Sequence, residues 1–63
     1  MFKLDDIVRV KTQPKMQHVK IEGITAIITE IQGDYCTIQE LKSSGELGGT
    51  GTVELSCLEK LED

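Results

Sequence analysis

Aromatic residues are almost missing from this chain. Of its 63 residues only Phe2 and Tyr35 carry rings of this kind, and tryptophan is absent. That weighs against a groove for proline-rich peptides, which is lined with aromatics. It weighs equally against a platform on which successive bases of a single strand stack. Histidine occurs once, as His18, and the two cysteines, Cys36 and Cys57, make no C-x-x-C pair. A zinc centre needs several convergent nitrogen, sulfur or carboxylate ligands. Nucleophilic catalysis needs a nucleophile, a base and a group that orients the base. Neither set is legible. The stretch from Gly45 to Gly51 is glycine-rich, but no lysine follows it as a phosphate-binding loop requires. The expectation is a chain with no enzyme activity, no cofactor and no metal.

Long apolar runs are also lacking. No stretch reaches the length of a membrane-spanning helix, and Met1 to Asp6 has no apolar core of a signal peptide. The expected location is cytoplasmic, where both thiols would be free. Size adds a further exclusion. A chain of 63 residues makes one domain, 1–63. It buries only about 60% of the surface exposed on unfolding and draws roughly 3–5 kcal/mol from its single core. A substrate-enclosing pocket does not fit in so little structure.

Positive charge is scarce: seven lysines and arginines face eleven aspartates and glutamates, a net of −4. Affinity for nucleic acid in general comes from cations that neutralise phosphates, so the balance disfavours it. The charges are unevenly spread. In residues 1–20 Lys3, Arg9, Lys11, Lys15 and Lys20 stand against Asp5 and Asp6, a net of +3, while residues 21–63 carry −7. Either folding mixes the two signs in space, or one basic face stands on an acidic body.

What the chain does have is β-branched residues, among them seven isoleucines and six threonines. They suit pleated, half-buried strands. A first strand is expected over Asp6 to Lys11, with Val8 and Val10 on one face and Arg9 and Lys11 on the other. Thr12 to His18 reads as a polar, basic loop around the single proline, Pro14. A long second strand is expected from Val19 to Ile31, bent at Glu22-Gly23. Its inward set is Val19 and Ile21, then Ile24, Ala26 and Ile28. Ile27 and Ile31 face the other way or follow a bulge. Gln32-Gly33-Asp34 signals a tight hairpin. It leads to a third strand, Tyr35 to Leu41, with Cys36 and Ile38 inward and Tyr35 outward. Lys42 to Gly51 reads as a glycine-rich loop and Thr52 to Leu55 as a short fourth strand. Ser56-Cys57-Leu58 reads as one helical turn capped by Ser56, and Glu59 to Glu62 as a last strand, with Leu58 and Leu61 returning to the core. The fold class is all-β: a small five-stranded barrel with one short 3-10 turn before the last strand.

This order of elements resembles the SH3-like (Src-homology-3-like) small barrels. The stretch from Leu4 to Lys11 is similar to their G-D-x-V-R-V opening, with Asp5 at the place of the first glycine. The stretch from Glu22 to Ile31 is similar to the G-x-x-G-x-V-x-x-I run of KOW-containing ribosomal and transcription-factor domains, with Ala26 at the place of the second glycine. The Gly33-Asp34 hairpin follows, and Val53 to Glu59 is similar to the closing V-x-x-x-x-L-E turn and strand. The opening and the second strand also look like the variable chain of ferredoxin–thioredoxin reductase and the small peripheral photosystem I subunit of the same fold. That resemblance implies a non-catalytic accessory subunit that docks on a larger protein complex, whereas the KOW likeness implies an RNA- or ribosome-associated domain. Composition adds a third class, a small acidic inhibitor, as phages encode, that occupies a basic site on a nucleic-acid enzyme. For the docking class the expected partner-binding residues are Arg9, Lys11, Lys15, His18, Lys20 and Tyr35, with basic side chains steering an acidic partner.

Overall fold

Alternation of apolar and polar residues places five strands along the chain. A computed structural model describes residues 1–61. Its elements are β1 (Ile7–Val10), β2 (Thr25–Gln32), β3 (Tyr35–Leu41), β4 (Leu47–Glu54), a 3-10 turn (Leu55–Cys57) and β5 (Leu58–Lys60). All neighbours are antiparallel, in the order β4-β3-β2-β1-β5.

The inward residues of every strand meet. Val8 and Val10 from β1, Ala26 and Ile28 from β2, Cys36 and Ile38 from β3, Val53 from β4 and Leu58 from β5 form one buried cluster. Phe2, Ile21, Ile24, Ile31 and Leu55 pack around it. Such convergence needs a rolled sheet. Laid flat, five strands about 4.8 Å apart would hold β4 and β5 roughly 19 Å from each other. The three-residue 3-10 turn that joins them rises only about 2 Å per residue. The sheet therefore curls until its two edges approach. No ladder joins β4 to β5, so the sheet stays open and the expected closed barrel is not reached. One cause is length, since β5 has three residues against eight in β4.

The hairpin from β2 to β3 forms where the sequence places it. Gln32 faces Tyr35, and Gly33 takes φ of +60° while Asp34 is not among the positive-φ residues. That is the two-residue turn with glycine at its first position, whose twist matches the strands. A bulge between Ile28 and Glu30 shifts the β2–β3 register, which turns Ile31 toward the core.

Elsewhere the structure corrects the reading. The second strand begins at Thr25, not Val19. Glu22-Gly23 is a full turn: Gly23 has φ of +95°, and the Ile24 N–H donates to the Ile21 carbonyl at 3.2 Å. Such a turn requires a positive φ at its third residue, so the chain reverses rather than bends. Val19, expected inward, is 70% exposed. The glycine-rich segment is mostly strand, since β4 starts at Leu47 and the connection shrinks to residues 42–46. Ser56 is no cap. The residue before the 3-10 turn is Glu54, without a side-chain cap, and the turn is held by the Leu58 N–H on the Leu55 carbonyl. The last strand starts at Leu58, and Glu62, its expected end, lies outside the described residues.

Candidate docking site

The connection from β1 to β2, residues 11–24, carries most of the residues expected to bind a partner. It has no ladder of its own, and side chains do the work of one. Pro14 is fully buried and pins the loop to the body. The Gln13 amide is a hub. Its Nε2 donates to the Val19 carbonyl at 3.0 Å and the Gln17 carbonyl at 3.4 Å. Its Oε1 accepts from the backbone N–H groups of Ile21 at 2.9 Å and Glu22 at 3.2 Å. Four backbone groups that a strand would pair are thus satisfied by one side chain. Gln17 then ties the loop to the sheet, with Nε2 donating to the Thr52 carbonyl of β4 at 2.8 Å. The sequence marks Pro14 as the loop's single proline but gives neither its burial nor the tethering roles of Gln13 and Gln17. A lone proline amid glutamines gives no periodic signal, and an amide's partners are set only when the chain has folded.

This tethering holds open an apolar groove of about 270 Å³ between the loop and the sheet. Val19, Ile21 and Ile24 line it from the loop side, and Ile38, Gly49, Thr50 and Gly51 line it from β3 and β4, with Glu40 at its border. Two glycines of β4 sit against close neighbours. A β-carbon on Gly48 would lie 2.5 Å from Glu40 Oε1 and 2.9 Å from its Cβ, and one on Gly51 would lie 3.2 Å from Gln17 Nε2.

The charges separate into two groups. On β1 and β5 the signs mix, with Arg9 3.5 Å from Glu59 and Lys60 3.5 Å from Asp6. Asp6 also accepts the Lys3 N–H on Oδ2 at 2.7 Å. That hydrogen bond, helped by Lys60, holds its carboxyl below the usual aspartate range. In the loop, Lys11, Lys15, His18 and Lys20 are exposed, and no ion pair among the described residues engages them.

The six expected residues do not form one patch. Arg9 faces Thr25 at the start of β2 and is already paired. Tyr35 faces Gln32 at the far end of β2, roughly 20 Å away at about 3.3 Å per residue. The loop runs between them, and its Gln17 contact at Thr52 lies two residues from Glu54, which faces Tyr35. Of two clefts beside Tyr35, one of about 140 Å³ is bordered mainly by Glu30, Gln32, Thr37 and Thr52, and the other, of about 340 Å³, by Asp34, Glu54, Leu55 and Ser56. Cys36 and Cys57 are both free thiols in the interior, and burial pushes the Cys36 thiol up. The thiolate, which is the reactive form, is therefore disfavoured at Cys36. Among the described residues no three His, Cys, Asp or Glu side chains gather as metal ligands would. In comparison with known proteins, no family model, no curated protein and no solved structure matches the chain.

Proposed function

We propose that this chain is a non-catalytic interaction module that docks through the 11–24 loop on an acidic surface of a larger protein. One observation carries the reading: Lys15, His18 and Lys20, exposed and without ion partners among the described residues, stand on the same loop as Gln17, Val19 and Ile21, which line an apolar groove that Gln13, Pro14 and Gln17 hold in shape. Basic residues of this kind steer an acidic partner and fix its register, and the groove supplies apolar area to bury. The fold reading that goes with it is an SH3-like small barrel left open between β4 and β5. Two features support that fold: the 3-10 turn ahead of the last strand, and the φ of +72° at Asp5, a backbone state that glycine adopts freely at the place where the opening motif has one.

The test is retention of a partner from native lysate by the wild-type chain and by a Lys15→Glu, Lys20→Glu variant. The expected result is one protein held in stoichiometric amount by the wild type and lost by the variant. Equal retention by both removes the loop from the reading. Salt-dependent RNA binding with no protein retained replaces docking by the nucleic-acid role.

A further inference from the structure

The groove borders a strand whose outer side pairs with no other strand among the described residues. β4 is the last strand of the sheet, and its outward backbone groups can be assigned. Gln17 Nε2 donates to the Thr52 carbonyl, so that carbonyl points away from β3. In an antiparallel ladder alternate residues share this direction, which turns the N–H and C=O of Thr50 outward as well. Thr50 faces Gln39 within the regular part of the register, ahead of the irregularity between Gln39 and Leu41. Gln17 covers the edge at Thr52. From Leu47 to Gly51 no further strand pairs with it among the described residues, although the Gly48 carbonyl accepts from Gln39 Nε2 at 2.9 Å, and Thr50 also lines the apolar groove.

Exposed edges of this length are ordinarily blunted by charged side chains, proline, a bulge or a covering loop, and here the irregularity opposite Gln39 and Leu41 leaves Thr50 as the regular outward residue. Residues 47–51 read Leu-Gly-Gly-Thr-Gly and contain neither a charge nor a proline. Three features therefore adjoin: a backbone edge unpaired at Thr50, an apolar groove, and Lys20, which lies between the groove-lining Val19 and Ile21, with Lys15 on the same loop. We propose that an extended, acidic segment of the partner protein adds to β4 as a sixth strand. Its backbone pairs with Thr50, one aliphatic side chain enters the groove between Val19 and Ile38, and its carboxylates meet Lys15 and Lys20. Main-chain hydrogen bonds then supply affinity while the groove and the cations supply selectivity, as in other cases of strand addition. The inference rests on the docking reading and gives it a binding mode.

The experiment uses the full chain, immobilised against a display library of random linear octapeptides. The tightest selected peptide is then synthesised and titrated into isotope-labelled protein. Selected sequences should alternate aliphatic and acidic residues, and the Thr50 amide should gain protection from hydrogen exchange in the complex. Thr50→Pro should weaken binding at least tenfold, because proline removes the outward N–H and is tolerated where that N–H faces solvent. N-methylation of alternate peptide residues should do the same and needs no change in the protein. Lys15→Glu with Lys20→Glu should also cost at least tenfold. A peptide that perturbs the loop but leaves Thr50 unprotected overturns strand addition, while docking still stands on partner retention. Failure to select any peptide overturns it too, as does protection of Thr50 by self-association without peptide, which would assign the edge to a second copy of the chain.

Discussion

In the β2–β3 hairpin the backbone satisfies itself, whereas in the 11–24 loop side chains do it. The hairpin closes through a two-residue turn, and its strands pair on both sides of one bulge with buried residues on one face. Its contacts are close in sequence, so little loop entropy opposes them. The loop depends on Gln13 reaching Val19, Ile21 and Glu22, on Gln17 reaching Thr52 thirty-five residues away, and on the burial of Pro14. Backbone pairing gives a rigid scaffold. Side-chain tethering gives a surface held in shape but free to present cations and a groove, the usual division between a sheet and its working loops.

The largest effect expected is in the scaffold. Ile28 is fully buried, and Ile28→Ala should cost about 2–5 kcal/mol from lost transfer energy and an unfilled cavity. A domain of this size has roughly 3–5 kcal/mol in total, so the variant should be largely unfolded by far-ultraviolet circular dichroism at 25 °C. Retention of a cooperative unfolding transition near that of the wild type would mean that the core does not centre on β2. A smaller effect is expected at the seam between the two regions. Gly48→Ala places a β-carbon against the Glu40 side chain, including its Cβ at 2.9 Å, and should cost about 1–3 kcal/mol as overpacking does. Gly49→Ala meets nothing within 4 Å and should stay within about 0.5 kcal/mol of the wild type. Equal urea midpoints for the two variants would deny that Glu40 dictates the glycine at position 48.

The same contrast explains which parts of the fold were legible beforehand. The hairpin and the inward set of Val8, Val10, Ala26, Ile28, Cys36 and Ile38 follow from local alternation and a turn residue with positive φ. Only the end of β4, from Thr52, was legible as a short fourth strand; its first part was hidden because Gly48, Gly49 and Gly51 read as loop residues. They are in a strand because Glu40 and Gln17 approach too closely for side chains at 48 and 51, and no local pattern carries that. The stretch from Val19 to Ile24 misled in the other direction. Its alternation is that of a strand, but the turn at Glu22-Gly23 and the Gln13 amide claim its backbone instead. Of the expected contact residues, Lys11, Lys15, His18 and Lys20 do lie on one exposed loop. Arg9 pairs with Glu59, a cross-strand contact that depends on which strand lies next to β1. The groove itself needs three separate segments and was not readable at all.

Gln13→Ala tests whether the loop is held as described. The variant gives up four hydrogen bonds whose backbone partners can turn to water, so the net loss should be about 1–2 kcal/mol. The informative readout is local. Amide exchange of Ile21 and Glu22 should accelerate at least tenfold, while amides of the β2–β3 ladder change only by the global loss of stability. Uniform acceleration throughout would mean that loop and hairpin open together and that the two regions are not separate in stability.

The turn ahead of β1 stands between the two regimes and gives the smallest effect. Like the hairpin it is local, with the Asp6 N–H on the Lys3 carbonyl at 3.2 Å. Like the loop it is completed by a side chain, Asp6 Oδ2 on the Lys3 N–H and near Lys60. Because the folded carboxyl titrates below its ordinary range, the unfolded chain takes up this proton first as the pH falls. The stabilisation is therefore present above about pH 4, where an unfolded aspartate is ionised, and it fades as the pH drops through the folded value. Asp6→Asn keeps an oxygen for the Lys3 N–H but removes the charge. Its urea midpoint should lie below that of the wild type at pH 7, and the gap should narrow as the pH falls below about 4, where an unfolded aspartate takes up its proton. A gap that stays constant across that range would show that Asp6 acts only as a neutral acceptor. The turn would then belong with the self-satisfied hairpin rather than with the charged side-chain tethers.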